Sequence, residues 1–137
     1  YGILKPLDLI QPYRLEMGTQ LQIGKHRNLY DFWGDEITNI LNDDKNNDYL
    51  INLASVEYFK SINIDNLKSK LINVSFKEKR DGKYKIIAIY SKRARGLMSR
   101  YIIKNKIIDP KSLKKFNLED YKFNKTLSSD SDLVFTR

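Results

Sequence analysis

Apolar side chains between residues 28 and 41 recur at three- and four-residue spacing: Leu29, Phe32, Trp33, Ile37, Ile40 and Leu41. That period predicts one amphipathic helix, with Asn28 as N-cap, Asp31 in the first turn, and Phe32 and Trp33 in the core. A polar stretch, Asp43-Asp44-Lys45-Asn46-Asn47-Asp48, follows as a loop. Residues 49–53 read as a short buried strand, and Ser55 as the cap of a helical turn holding Tyr58 and Phe59. Residues 71–78 and 83–90 are rich in β-formers and meet at Arg80-Asp81-Gly82, where Asp-Gly is a strong hairpin signal. Ser91 is placed to cap a helix reaching about Asn105. Asp109-Pro110 predicts an N-cap with proline at the first helical position, opening a short helix to about Phe116. Residues 121–125 and 133–136 alternate like two strands around the loop Ser128-Ser129-Asp130-Ser131-Asp132.

Ahead of these elements, residues 1–24 hold Pro6 and Pro12 together with Gly2, Gly18 and Gly24. Proline fixes φ and does not sit inside a helix or ladder, so this segment reads as extended and turning, anchored by Leu4, Leu7, Leu9 and Ile10. The mixture predicts an α+β fold, a mixed α/β domain with β-hairpins and one basic helix. With no repeat and no linker composition, residues 1–137 read as a single domain. The opening, Tyr1-Gly2-Ile3-Leu4-Lys5-Pro6, looks like the middle of a protein.

Composition narrows the chemistry. The 137 residues are 41% hydrophobic and 12% aromatic, which suits a buried core and not a disordered chain. No apolar run reaches about 18 residues and no secretory leader is visible, so neither a membrane span nor export is expected. The absence of cysteine removes disulfides, thiolate zinc sites and cysteine nucleophiles. A single histidine, His26, flanked by Lys25 and Arg27, reads as a surface residue and leaves no histidine pair for a metal. No metal and no cofactor is expected, and the expected location is a bacterial cytoplasm.

The formal net charge of +8 is unevenly spread. Residues 1–59 carry 5 basic and 9 acidic side chains, whereas residues 60–137 carry 20 and 8. Such asymmetry fits a polyanionic partner for the second half, or a lysine-rich solvated surface. The densest run, residues 92–106, holds Lys92, Arg93, Arg95, Arg100, Lys104 and Lys106 with no acid. On a helix, Ala94, Leu97, Met98 and Tyr101 form an apolar stripe, with Lys92, Arg95, Gly96 and Ser99 opposite. Mid-helix glycine costs about 1 kcal/mol against alanine, and beside Lys and Arg one reason for it is close approach of a ligand or backbone. Phosphate oxygens suit both neighbours, Arg through its bidentate fork and Lys as a point charge. The competing reading is a solvated face whose arginines pair with the acidic first half. A membrane-surface role fits less well, because the apolar stripe is narrow and reads as core.

Other candidates carry less. The helix opened by Pro110, followed by Phe116-Asn117-Leu118-Glu119, has the outline of half a helix-hairpin-helix DNA clamp, but lacks the glycine hairpin that offers amides to phosphate. An ordinary helix–turn is the simpler reading. Asp8, Glu16 and Glu57 are carboxylates of the kind used in acid–base catalysis. Single carboxylates are mostly capping or ion-pair groups, so none is assigned a catalytic role.

Several strings occur together in this order: the run from Tyr1 to Gly18, with Lys5-Pro6-Leu7-Asp8 and Gln11-Pro12-Tyr13-Arg14 inside it, then Phe32-Trp33-Gly34, Asn52-Leu53-Ala54-Ser55, Glu57-Tyr58-Phe59, and Lys92-Arg93-Ala94-Arg95-Gly96-Leu97-Met98-Ser99-Arg100. This combination resembles the peroxide-stress protein YaaA family of bacteria over essentially the whole chain. At Lys115-Phe116 the chain departs from the family pattern, in which a glycine often precedes the phenylalanine. The resemblance implies the C-terminal part of a longer, cytoplasmic protein of mixed α/β fold. It further implies a role in limiting damage from hydrogen peroxide and free iron, a basic cleft that binds DNA, and no established enzyme activity. Carried over on matched positions are Lys5, Gln11, Tyr13, Arg14, Lys92, Arg95 and Arg100, of which Lys92, Arg95, Arg100, Arg14 and Lys5 would meet nucleic acid. The expected partner is DNA held through backbone phosphates. An enzyme acting on a nucleotide or nucleic-acid substrate in the same cleft is the alternative, in which Gln11, Tyr13, Asn52, Ser55 and Glu57 would line the cleft. Self-association through exposed sheet edges is a further expectation for a fragment.

Overall fold

The computed structural model describes residues 2–5, 7–12, 14, 16–45 and 47–137. The chain divides into two compact units, Tyr1–Asp48 with Ser55–Ser69, and Tyr49–Ala54 with Lys70–Arg137. Helices and a mixed sheet are both present, as expected of an α+β chain.

In the first unit, residues 28–41 form two helices where one was expected: α1 (Leu29–Trp33) and α2 (Glu36–Asp43). Asn28 does cap α1, its side chain accepting from the Asp31 N–H at 2.9 Å. The break falls at Gly34, whose φ of 46° is a conformation a side chain disfavours. Breaking the helix splits the apolar stripe, so Ile37 is buried while Phe32 stays 42% exposed, outside the core it was expected to join. His26, expected at the surface, is half-buried with its ring edge-on to Phe32 at 5.7 Å. Polar side chains fasten α2: buried Thr38 accepts from the Asn63 N–H at 2.9 Å, and Asp35 accepts from the Asn63 and Asn66 amides at 2.7 and 2.9 Å. Ser55 caps the single turn α3 (Val56–Phe59). The described part of residues 1–24 has no helix or strand beyond an Ile23–His26 bridge. Leu7 and Leu9 are not anchors: they are 92% and 100% exposed, since a segment without a regular element has no single face to turn inward.

The second unit is built on β1 (Tyr49–Asn52), β2 (Lys70–Arg80), β3 (Lys83–Lys85), β4 (Lys122–Phe123) and β5 (Asp132–Thr136). Strands run in the order β1-β2-β5-β4, with β3 bonded to β2. β1 and β5 lie parallel to β2, whereas β2–β3 and β4–β5 are antiparallel. Parallel neighbours need a crossover, and that from β2 to β5 contains the helix α4 (Ala88–Lys104). Ile72, Val74 and Phe76 alternate inward from β2, with Val74 opposite Leu133 and Phe76 opposite Phe135. Ala94 and Met98 of α4, with Leu113, Phe116 and Tyr121, complete this core. Phe76 is its hub, with ring centroids 5.0 Å from Tyr121, 5.5 Å from Phe135 and 5.7 Å from Phe116. Each such burial is worth about 1.5–3 kcal/mol, enough to hold α4 on the sheet.

The hairpin forms where Asp-Gly indicated: Asp81 and Gly82 have φ of 51° and 75°, the two positive values a type I′ turn requires. Its second strand is shorter than expected, however. β3 stops at Lys85 and α4 begins at Ala88 behind Ile87, not at Ser91. Ile86 and Ile89 are 60% and 73% exposed, so the alternation at residues 86–90 has no buried face to serve. Helix propagation backward from the buried Ala94–Met98 stripe prevails. Asp109 caps the turn Pro110–Lys115 as expected, accepting from the Lys111 N–H at 2.9 Å. This turn and Leu118–Asp120 are short 3-10 segments, so no helix-hairpin-helix is formed there.

Candidate functional site

Helix α4 carries no acidic residue, and its packing sorts its cations into two groups. Lys92, Gly96 and Arg100 stand at i, i+4 and i+8, one stripe that is exposed along its length. Neither Lys92 nor Arg100 enters an ion pair among the described residues. A Cβ added at Gly96 would meet nothing within 4 Å, so the helix backbone is open to an approaching group. Arg93 and Arg95 are engaged elsewhere. The Arg93 guanidinium bonds Glu119 at 2.6 Å and holds its carboxyl below the usual carboxylate range. Both lie in the second unit, so Arg93 finds its acid there and not in the acidic first half. Arg95, expected on phosphate, is half-buried and donates to the carbonyls of Ser91 and Leu53 at 3.3 Å each. It therefore ties α4 to the residue just after β1.

Asn52 belongs to a polar row across the sheet. Register aligns Asn52 with Asn73 and Asn73 with Asp132. The Asn52 amide donates to Asn73 at 2.9 Å, and the Asn73 amide to Asp132 at 3.0 Å. Asn73 alternates with Ile72 and Val74, which puts the row on the face away from the core. Hydrogen bonds from Ser131, Asn73 and Ser129 hold the Asp132 carboxyl below its ordinary range.

Lys5, Gln11, Arg14, Ser55 and Glu57 belong to the first unit, and Tyr13 lies outside the described residues. Lys5, Gln11 and Arg14 are exposed. Glu57 accepts from the Gly18 N–H at 2.7 Å, and its carbonyl from the Tyr30 hydroxyl at 2.8 Å. Ser55 thus serves as a helix cap, and Glu57 ties together distant segments of the first unit.

Two groups escaped the sequence reading. Glu78, 7% exposed, accepts from the Tyr121 hydroxyl and, at 3.0 and 3.1 Å, from the Arg137 guanidinium. That guanidinium also lies over the Tyr90 and Tyr121 rings, at 5.2 and 4.7 Å. Burial, then the Glu78 carboxylate, pushes the Tyr121 hydroxyl well above its ordinary range. Nothing local signals a partnership spanning 59 residues. The second group is Arg80, Lys83 and Lys85 on the β2–β3 hairpin, and the Asp-Gly turn was the signal that would have found it, since the residues flanking a two-residue turn face each other. Among the described residues, no group of three acidic or histidine side chains is placed to hold a metal, and no helix is long and apolar enough to cross a membrane.

Residues 1–127 match the model of a family described as peroxide stress protein YaaA. A UPF0246 protein of Neisseria meningitidis serogroup A is 56% identical over 140 residues, covering 100% of this chain and 54% of that protein. One from Neisseria gonorrhoeae is 54% identical with the same coverage, and one from Acaryochloris marina is 55% identical over 138 residues, covering 55% of its length. The chain spans about half the length of the curated relatives it matches. With the family strings, the mixed α+β architecture and this similarity along the whole chain in agreement, the chain belongs to the peroxide stress protein YaaA family.

Proposed function

We propose that this protein binds the sugar–phosphate backbone of DNA through the exposed stripe of α4, in a cytoplasmic response to hydrogen peroxide that limits iron-driven damage. The observation that carries the reading is the Lys92–Gly96–Arg100 stripe: two exposed cations without ion pairs among the described residues, flanking a backbone that no side chain covers. An unpaired Lys and Arg one helical turn either side of bare backbone offer charge and close approach together, which is what phosphate oxygens require. The surrounding charge agrees. The first unit holds 7 basic and 10 acidic residues and the second 18 and 7, so the unit containing α4 carries +11. Contacts of this kind release counterions on binding and read little base sequence. Arg95, bound to backbone carbonyls, acts in this reading by positioning the helix.

The test is duplex-DNA affinity against salt for the full-length protein and Lys92→Gln/Arg100→Gln. Wild-type affinity should fall linearly on a double-logarithmic plot, and the double variant should lower the slope by about 2. A flat wild-type profile, or a variant that binds as wild type does, sinks the reading.

A further inference from the structure

The β2–β3 hairpin concentrates positive charge in a way folding alone does not favour. Its register places Glu78 opposite Lys85, Lys79 opposite Tyr84, and Arg80 opposite Lys83. Side chains alternate across the ribbon, so Glu78, Lys85, Arg80 and Lys83 share one face. Glu78 is buried and bound by Arg137 and Tyr121, leaving three cations on that face. Among the described residues their only acidic contact is Asp81, 3.9 Å from Lys85, with both side chains largely exposed. Like charges directly opposite in an antiparallel pair are destabilising, and here Arg80 faces Lys83 beside the turn. All of β3 is exposed, and Tyr84 on the other face is 40% exposed beside Lys79.

We propose that this hairpin is a second phosphate-binding arm for a nucleic-acid duplex, adding to the contacts of α4 and resting on the nucleic-acid reading of that helix. A two-stranded ribbon fits a major groove of about 12 Å. Alternate residues on a strand are about 6.8 Å apart, against one phosphate per about 3.4 Å of axis on each nucleic-acid strand, so each cation has a phosphate within reach. The partner relieves the repulsion between Arg80 and Lys83, which explains why that pair stands at the tip.

The experiment measures binding of the full-length protein to a short mixed-sequence duplex against salt, for wild type, Arg80→Gln/Lys83→Gln/Lys85→Gln, Arg80→Lys/Lys83→Arg and Lys92→Gln/Arg100→Gln. The triple variant should lower the slope by about 3, so that its loss of affinity between about 50 and 200 mM salt is some 40-fold smaller than that of wild type. The charge-retaining swap should keep the wild-type slope, and thermal melts of the triple variant should match or exceed wild type, because a repulsion has been removed. An unchanged slope in the triple variant overturns the arm while the α4 variant still reports on the helix. A changed slope in the triple variant alone supports the arm and refutes the helix. Wild-type binding to phosphatidylserine vesicles with a flat duplex profile overturns both.

Discussion

Single side chains decide which charges remain available to a partner. Arg93 and Arg95 occupy the same basic string as Lys92 and Arg100, yet one is bound to Glu119 and the other to the Leu53 carbonyl. Asp132 shows the same dependence on partners. Its pKa is depressed in the folded chain by Ser131, Asn73 and Ser129, so the sign follows from linkage. The stabilisation is present above the unfolded carboxylate value of about 4 and is lost as pH falls through the lower folded value. Denaturant melts of wild type and Asp132→Asn should therefore differ near neutral pH and converge as the pH approaches about 2. A gap that stays constant across that range would show that the charge is not what Asn73 and the serines hold. Asn52, read as lining a cleft, is the far end of the same row.

Among elements, α4 joins core and surface most directly. Ala94 and Met98 are fully buried, and the opposite stripe at Lys92, Gly96 and Arg100 is open. Gly96 has no positive φ and no crowding neighbour, so the fold does not demand glycine there. Gly96→Ala should raise stability by about 0.5–1 kcal/mol, as expected of a helix interior, and weaken duplex binding if the backbone is approached closely. Thermal melts and titrations on one preparation check both; unchanged binding would confine Gly96 to a stability effect. At this scale sequence signals were uneven. Asn28, Ser55 and Asp109 cap as their side chains indicated, because a cap is decided within three residues. The start of α4 was not legible, because strand and helix compete there and burial elsewhere arbitrates; nor was the break at Gly34, because the helical period of the apolar residues continues across it.

Across the molecule, the two compact units keep nearly the charge division seen along the chain, with 7 basic and 10 acidic residues in one and 18 and 7 in the other. Residues 49–54 and 70–137 together carry +11. Self-repulsion of that size destabilises a compact state and is screened within a Debye length of about 10 Å at 0.1 M salt. Raising salt from low ionic strength to about 0.15 M should thus raise the melting temperature of the full-length protein while duplex affinity falls. Scanning calorimetry beside binding titrations checks this, and a melting temperature that falls with salt would mean attractive pairs outweigh the repulsion.

Sequence by itself determined the local features of this chain: the Asp-Gly hairpin, the caps at Asn28, Ser55 and Asp109, the apolar stripe of α4 and the family to which the chain belongs. Each depends on residues a few positions apart, or on composition, and so survives without knowledge of the fold. Only the tertiary structure decided that β2 is flanked by β1 and β5, that Glu78 is bound by Tyr121 and Arg137, and that Leu7 and Leu9 stand exposed. It also separated Lys92 and Arg100 from Arg93 and Arg95. These outcomes depend on partners tens of residues away, and electrostatic availability is set by distance in space, which no spacing along the chain encodes.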